Sequence, residues 1–265
     1  MKVDREGVGF HVRIDGVDDA TAPTIVFANS LGTTMHMWDG IIPLLPAGLR
    51  IIRYDKRGHG QSGVPAAPYT MGVLVSDAAA VCDACDVKDA LFVGLSVGGM
   101  IAQGLAVKRP DLIRAMVLSN TAAKIGNGPM WQDRIDSVMD KGLGSIADVT
   151  MARWFSRDYL MSPDLPAARK MLTDTPAAGY AGVCAAIAGT DFYTPTSGLR
   201  IPTLGIAGSE DGATPPDLVR ETVDLIPGSQ FELMRRVGHL PCVEAPEAYA
   251  KILIDFIAAT GHMNE

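Results

Sequence analysis

The sequence lacks any long hydrophobic run. No apolar stretch reaches the roughly eighteen residues that a membrane-spanning helix needs. The first six residues, Met1 to Glu6, are largely charged, and no hydrophobic segment of a signal peptide follows them. We therefore expect no membrane span and no secretory signal, and we expect the protein to be cytoplasmic.

The sequence is also short of positive charge. Its 23 lysines and arginines are outnumbered by 30 aspartates and glutamates, which gives a formal net charge of −7. Nucleic acids and anionic membranes bind basic surfaces. The charge balance therefore argues against both as partners, while a homo-oligomer is left open.

Cysteine is scarce, with four residues in the whole chain. Cys82 and Cys85 form a Cys-x-x-Cys pair, but there is no second pair to complete a zinc site. The pair lies in a helical run rich in alanine and valine rather than just after a strand, so we interpret both residues as buried helix thiols. Cys242 lies close in sequence to the histidine discussed below, which makes it a candidate for the wall of a pocket.

What the sequence does contain is an alternation of short apolar runs and helical segments. Hydrophobic residues make up 48% of 265 positions, enough for one α/β domain with an insertion. The runs typical of buried strands are Thr24–Asn29, Ile51–Asp55, Ala90–Leu95, Ala115–Ser119, Thr203–Gly208 and Phe231–Met234. Residues Gly7 to Asp15 alternate like an antiparallel edge strand, and Met71–Asp86 and Glu247–Ala259 predict helices. This order predicts an α/β fold with a mostly parallel central sheet and helices on both faces.

Residues 123–198 differ in character from the rest of the chain. They lose the strand pattern and show helical segments interrupted by Pro163, Pro166 and Pro176. We interpret them as an inserted helical cap over the carboxyl ends of the strands, where ligands bind in open α/β sheets. The chain would then consist of a core, residues 1–122 and 199–265, and a cap, residues 123–198.

A candidate nucleophile lies between the Ala90–Leu95 run and the helix-forming run that follows it. The sequence Gly94-x-Ser96-x-Gly98 is typical of a serine on a sharp turn between a central strand and a helix. Glycines two residues before and after the serine let the strand and helix approach each other. The amino terminus of the helix, with its unpaired N–H groups, would face any negative charge that develops near the hydroxyl.

A serine hydroxyl needs a base, and the base needs a carboxylate to orient it. Of the five histidines, we select His239 as the base because it follows the last predicted strand directly. We interpret His59, in Gly58-His59-Gly60, as a turn residue that hydrogen-bonds the backbone. Glu210 and Asp211 both follow the Thr203–Gly208 run, and we prefer Asp211 because its shorter side chain is easier to hold rigidly.

An oxyanion formed at the serine would need two donors. We expect them to be the backbone N–H of Val97, directly after the nucleophile, and that of Leu31, in the glycine-containing loop after the Thr24–Asn29 run. Loss of one such donor costs about 10²–10³ in turnover in other enzymes.

With these residues identified, the chain resembles the α/β-hydrolase superfamily over essentially its whole length. The order Ser96, Asp211, His239 is the order of that superfamily. Within it, the chain is most similar to the 3-oxoadipate enol-lactonase family. The resemblance rests on Phe27-Ala28-Asn29-Ser30-Leu31-Gly32-Thr33 with Met37-Trp38, Arg53-Tyr54-Asp55-Lys56-Arg57-Gly58-His59-Gly60, Gly94 to Gln103, and Ser119-Asn120-Thr121-Ala122-Ala123-Lys124-Ile125-Gly126. Most superfamily members have His-Gly where this chain has Asn29-Ser30, and Val97 replaces the usual Met or Leu.

The resemblance implies hydrolysis of 3-oxoadipate enol-lactone to 3-oxoadipate in aromatic catabolism, without a metal or organic cofactor. Its substrate would be a small anionic lactone, so a local cation must face the pocket of this acidic protein. The cap offers Lys124, Arg134, Arg153 and Arg157. We select Arg134 for the carboxylate and Trp131 for the ring wall, because residues three apart share a helix face. The alternative, a solvated arginine and a core tryptophan, remains open.

Other activities would use the same three residues. A carboxylesterase, a carbon–carbon bond hydrolase of ring-cleavage products and a cofactor-free perhydrolase are the alternatives on this scaffold. A ligand-binding protein without catalysis is disfavoured, because a pure binder has no need of Asp211 or His239. Fold alone does not choose among these functions.

Overall fold

The protein, in a computed structural model that describes residues 1–263, contains one eight-stranded β-sheet. Its strands are β1 (Lys2–Arg5), β2 (Val8–Gly16), β3 (Thr24–Ala28), β4 (Arg50–Tyr54), β5 (Ala90–Leu95), β6 (Ile113–Ser119), β7 (Thr203–Gly208) and β8 (Gln230–Met234). They lie in the order β1-β2-β4-β3-β5-β6-β7-β8. The prediction of an α/β fold with a mostly parallel sheet is confirmed.

The parallel part of the sheet runs from β4 to β8. Every residue of β3, β4, β5 and β7 is buried, so both faces of the central sheet are covered. This burial explains why these strands are continuous apolar runs in the sequence. Because the strands are parallel, the loops that follow β3, β5, β6 and β7 meet at one edge of the sheet.

The antiparallel edge begins with a hairpin that the sequence patterns did not reveal. β1 pairs with β2, and β2 pairs with β4, both antiparallel. Glu6 and Gly7, the two residues between β1 and β2, both have positive φ, 55° and 78°. This is the geometry of a two-residue hairpin whose twist matches that of the flanking strands. β1 escaped prediction because it is short and mostly charged.

Ten helices accompany the sheet within residues 1–263. They are α1 (Met71–Ala84), α2 (Val97–Lys108), α3 (Gly128–Lys141), α4 (Ala147–Trp154), α5 (Leu165–Thr173), α6 (Ala177–Ala188), α7 (Tyr193–Ser197), α8 (Pro216–Asp224), α9 (Pro241–Glu244) and α10 (Pro246–Ala259). Thr70 and Asn127 accept hydrogen bonds from the backbone of Val73 and Met130, and so cap α1 and α3. The sequence predicted α1, α2 and α10 closely but gave no signal for α8 or α9.

The segment between β6 and β7 is helical. Within residues 123–198 the chain forms α3 to α7 and short 3₁₀ turns, and no strand. α3 packs along α6, and α4 packs against α5. The division of the chain into a core and a cap at residues 123 and 198 remains an interpretation that fits this arrangement.

The cysteines lie in the helical layers. Cys82 lies in α1 and Cys85 directly follows it; both are buried and neither is in a disulfide. Cys242 is fully buried in α9. In the part of the chain that the structure describes, no group of three or more His, Cys, Asp or Glu side chains is placed to hold a metal ion. No helix over residues 1–263 is both long and apolar enough to cross a membrane.

Candidate active site

Ser96 lies on a sharp turn between β5 and α2. Its φ and ψ are 59° and −120°, a strained conformation that a non-glycine residue adopts only where its surroundings impose it. The flanking glycines show how closely the backbone packs around this turn. A Cβ on Gly94 would collide with the backbone of Gly98, and a Cβ on Gly98 would collide with the carbonyl of Ala28. Thr121 Oγ1 also donates to the Ser96 carbonyl at 2.6 Å.

The two predicted oxyanion donors lie close to this turn in the fold. Val97 is the first residue of α2 and is fully buried, so its N–H is one of those that a helix leaves without an intrahelical acceptor. Leu31 follows β3 and lines the same cavity as Ser96. The structure thus places both backbone groups at the edge of the sheet where the serine lies.

The predicted acid and base are in direct contact. Asp211 Oδ2 lies 2.8 Å from His239 Nδ1, and both side chains are almost completely buried. Asp211 also accepts the backbone N–H groups of Ala213 and Thr214, the Thr214 hydroxyl and the side-chain amide of Asn120. Burial alone would raise the pKa of Asp211, but His239 and these donors hold it below its ordinary value. The carboxylate therefore stays ionised and fixes a proton on Nδ1, leaving Nε2 as the acceptor.

The other side of the imidazole faces the cavity. His239 Nε2 lies 3.5 Å from Ser30 Oγ, and His239, Ser30 and Ser96 all line the cavity wall. Glu210, the alternative acid, lies away from this site, where its carboxylate accepts the backbone N–H of Arg157. The geometry therefore favours Asp211 over Glu210 as the partner of the base.

The end of α4 is hydrogen-bonded to both of the loops that carry the predicted acid, Asp211, and the predicted base, His239. The carbonyl of Arg153 accepts the N–H of Gly212 at 3.0 Å, and the carbonyl of Trp154 accepts the N–H of His239 at 2.7 Å. Glu244 adds a further link, since one carboxylate oxygen accepts the N–H groups of Gly238 and Ser156. Residues 123–198, called the helical insertion below, thus support the backbone of the candidate site directly.

The cavity above Ser96 is small. Its volume is about 90 Å³. Its core side includes Ser30, Leu31, Ser96 and His239, and its helical side includes Trp131, Arg134, Arg153, Trp154 and Tyr180. A space of this size suits a compact substrate rather than a long-chain ester.

Arg134 is the partly buried cation of the cavity wall. One of its Nη atoms donates to Thr150 Oγ1 at 2.9 Å, and its guanidinium lies about 6 Å from the ring centres of Trp131 and Tyr180. Its Nε is buried and has no hydrogen-bond partner within the described residues. An unsatisfied buried donor on a cation is costly, and the positive charge of this side chain lies at the cavity wall.

The other predicted cations separate into two groups. Arg153 also lines the cavity, whereas Lys124 forms an exposed ion pair with Asp191. Arg157 is exposed on the outer surface beside Glu210. Trp131 lines the cavity as expected, and its Nε1–H donates to the carbonyl of Ile125. Cys242, a candidate for the pocket wall, instead lies in the core, where burial raises its pKa.

His59 behaves as the interpretation of the sequence expected. Its Nε2 accepts the N–H of Gly32 at 3.0 Å, and its Nδ1 lies 3.2 Å from the carbonyl of Arg57. Burial, together with the charge of Lys56, holds the pKa of His59 well below its usual range. This histidine is therefore neutral and bonded to the backbone on both sides.

Sequence reasoning missed three polar neighbours of the acid and base: Asn120, Thr214 and Ser30. Asn120 directly follows the buried strand β6, and its φ of 46° marks a turn that presents its amide to Asp211. Thr214 lies three residues after Asp211 and closes a local turn on that carboxylate. Polar residues just after buried strands were the available signal, because parallel strands end at one edge.

This fold, with a strained serine above the central strand and a buried Asp–His pair from later loops, defines an α/β hydrolase. The sequence profile of the alpha/beta hydrolase fold family matches residues 23–246. The chain is 36% identical to 3-oxoadipate enol-lactonase 1 of Acinetobacter baylyi over 97% of its own length and 96% of that protein. It is 35% identical to 3-oxoadipate enol-lactonase 2 of the same organism, covering 87% and 86%.

A solved structure gives the same result. The enol-lactonase from Burkholderia xenovorans LB400 superposes with a TM-score of 0.93 at 35% identity, covering 97% of this chain and all of that one. The chain therefore belongs to the α/β-hydrolase family and, within it, to the group of hydrolytic enzymes that includes the 3-oxoadipate enol-lactonases.

Proposed function

We propose that this enzyme hydrolyses 3-oxoadipate enol-lactone to 3-oxoadipate, a step of aromatic catabolism in the β-ketoadipate pathway. The observation that carries the proposal is the small cavity whose wall brings the positive charge of Arg134 together with Ser96 and His239. A compact lactone with a carboxylate arm matches both the size and the charge of this space. The enol-lactonases among the relatives support the same substrate.

In the first half of the reaction, Ser96 Oγ attacks the lactone carbonyl carbon while His239 Nε2 takes the hydroxyl proton. The carbonyl electron pair moves to oxygen, and the N–H groups of Leu31 and Val97 stabilise the resulting oxyanion. When the intermediate collapses, the ring C–O bond breaks and the proton on His239 passes to the departing enol oxygen. The enol then becomes the ketone of the product.

In the second half, water hydrolyses the acyl-enzyme. His239 accepts a proton from the water as its oxygen bonds to the acyl carbon, and Ser96 leaves with that proton. Asp211 keeps the imidazole in the required tautomer and stabilises its protonated form throughout. Arg134 holds the carboxylate arm, and Trp131 and Tyr180 pack around the ring. All steps use water and the side chains and backbone of this chain, so the proposed mechanism needs no metal or organic cofactor. Separately, a cytoplasmic location remains our expectation from the sequence.

Hydrolysis of the enol-lactone, followed by ultraviolet absorbance beside p-nitrophenyl acetate, tests this proposal. We expect efficient loss of the lactone, slow acetate turnover, and a fall of several orders of magnitude for both in Ser96→Ala. Brisk acetate hydrolysis with an untouched lactone would keep the serine mechanism and point to a carboxylesterase. An unchanged rate in Ser96→Ala would contradict the assignment of the nucleophile.

The role of Arg134 is tested by a matched pair of variants, Arg134→Gln and Lys124→Gln, each of which removes one positive charge from the helical insertion. We expect Arg134→Gln to raise KM for the lactone roughly 10- to 100-fold, the worth of a charged hydrogen bond, and to leave acetate turnover nearly unchanged. Lys124→Gln should alter neither, because its ion pair is on the surface. Equal effects of the two variants would mean that charge in general, and not Arg134, binds the substrate.

A further inference from the structure

Lys56 is a buried lysine in the loop that follows β4. Only 3% of it is exposed, and its ammonium donates to the carbonyl of Ser30 at 2.6 Å and faces that of Thr33 at 3.4 Å. The adjacent carboxylate of Asp55 is bonded instead to the backbone N–H groups of Met35 and Gln61. A charge in such surroundings is costly, so its position calls for an explanation.

The carbonyl that Lys56 binds belongs to the same peptide unit as the N–H of Leu31. In a trans peptide the C=O and N–H groups point in opposite directions. The ammonium therefore binds one side of the Ser30–Leu31 peptide, and the Leu31 N–H on the other side would meet the oxyanion. A charged donor on the carbonyl fixes the peptide plane and polarises the unit, which strengthens the N–H on the other side.

The next peptide unit is fixed as well. Gly32, which follows Leu31, donates its N–H to the neutral His59 at 3.0 Å, and Thr33 Oγ1 adds a second donor to the Ser30 carbonyl at 2.8 Å. The backbone on both sides of Leu31 is therefore held by side chains of the Lys56–His59 segment and of its own loop. Lys56 is not among the residues, within 1–263, that line the cavity at Ser96. Any effect of Lys56 on the reaction must therefore pass through the backbone around Leu31.

We propose that Lys56 is a positioning residue of the oxyanion hole, whose ammonium aims and polarises the Ser30–Leu31 peptide so that the Leu31 N–H stabilises the oxyanion formed at Ser96. The inference rests on the serine mechanism proposed above, but not on the identity of the lactone. It assigns to the charge of Lys56 a part of the transition-state stabilisation that backbone donors usually supply alone.

The test compares binding of two keto acids, 6,6,6-trifluoro-5-oxohexanoate and 5-oxohexanoate, by calorimetry. The trifluoromethyl ketone can form a hemiketal oxyanion with Ser96, whereas the methyl ketone binds as a ground-state analogue. In Lys56→Met we expect the trifluoromethyl ketone to bind at least tenfold more weakly and the methyl ketone to bind nearly as in the wild type. For p-nitrophenyl acetate, kcat should fall by a similar factor while KM stays unchanged.

Two controls separate this role from others. Thr33→Val removes a neutral hydrogen-bond donor from the same carbonyl and should weaken the binding of the trifluoromethyl ketone by only a few-fold. Ser96→Ala should abolish the advantage of the trifluoromethyl ketone over the methyl ketone. If Ser96→Ala loses the tighter binding of the trifluoromethyl ketone but Lys56→Met keeps it, the role of Lys56 is wrong. If Ser96→Ala keeps the tighter binding, the serine mechanism itself is wrong.

A measurement on the wild-type protein covers the case in which Lys56→Met does not fold. Burial lowers the pKa of Lys56 to about 7, although the Asp55 carboxylate opposes this shift. We expect the Leu31 amide resonance, followed by NMR from pH 6 to 8.5, to move with the same midpoint as the Lys56 Cε signal. The ring signals of His59 and His239, which contact Gly32 and Ser30, would be followed separately. A Leu31 amide that ignores the Lys56 titration would refute the polarisation.

Discussion

At the scale of single residues, two buried charged groups of this enzyme have different surroundings. Asp211 accepts hydrogen bonds from four neighbours, including His239, and its pKa is held below the ordinary value despite burial. Lys56 has two carbonyls for its ammonium, and burial brings its pKa to about 7. The protein stabilises the first charge fully and the second only partly. A partly compensated charge beside an active site is typical of a group kept for function rather than for stability.

This difference predicts that Lys56→Met is more stable than the wild type and yet less active. In the folded state Lys56 has a pKa near 7, below the value of about 10.4 for an unfolded lysine. Between these values the unfolded state binds more protons, so wild-type stability rises with pH, by up to about 1.4 kcal/mol per unit. Urea unfolding of both proteins at pH 6, 7, 8 and 9 should show the largest advantage of the variant at pH 6 to 7 and a shrinking one above. A difference independent of pH would mean that Lys56 does not titrate in this range.

At the scale of elements, two glycines form a close backbone contact between the helical insertion and the core. A Cβ on Gly179, in α6, would collide with the backbone of Gly58, and a Cβ on Gly58 would collide with that of Gly179. Gly58 lies in the segment that holds Leu31, and Gly179 directly precedes Tyr180 of the cavity wall. We infer that this contact limits the distance between α6 and the loops, and with it the position of Tyr180 in the cavity wall.

We therefore expect Gly179→Ala to destabilise the protein by roughly 1–3 kcal/mol, the usual effect of overpacking, and to raise KM by displacing Tyr180. Gly189→Ala is the matched control at the end of the same helix, since its added methyl would meet its nearest atom at an ordinary 3.6 Å. Thermal unfolding should show a melting temperature several degrees lower for Gly179→Ala and little changed for Gly189→Ala. If both variants matched the wild type, the glycine contact would not hold α6 in place.

The sequence predicted elements well where local chemistry determines them. The buried strands β3, β5 and β7 read as apolar runs, and the turn at Ser96 is specified by Gly94 and Gly98. β1 and α8 were not predicted, and both are short elements with exposed residues. The spacing of Trp131 and Arg134 suggested that they share a helix face, but it left open whether that face meets the pocket, since this depends on how α3 packs against α6.

At the scale of the whole molecule, the helical insertion and the sheet are joined at the candidate site itself. The carbonyls of Arg153 and Trp154 accept the N–H groups of Gly212 and His239, and Glu244 links Ser156 to Gly238. Opening of the insertion would break these hydrogen bonds and displace His239. We therefore infer that the catalytic geometry exists only while both parts are folded together.

This connection predicts one cooperative unfolding transition. In a urea titration, tryptophan fluorescence, which reports on Trp131 and Trp154 of the insertion and on Trp38 of the core, should follow the same curve as far-ultraviolet circular dichroism and residual activity. Loss of activity and of part of the fluorescence change at a clearly lower urea concentration would show that the insertion unfolds independently, contrary to this expectation.

The hydrogen bonds at the end of α4 also bear on any attempt to exchange specificity between relatives by transplanting the insertion. A graft that replaced residues 123–198 whole would carry away the acceptors of Gly212 and His239 together with the cavity wall. If the helix that corresponds to α4 ended differently in the transplanted segment, the chimaera would have a new pocket but a displaced His239. Residues 153–156 lie within the insertion in the chain, but their hydrogen bonds support the loops of the candidate site. A chimaera should therefore keep these four residues from the recipient protein.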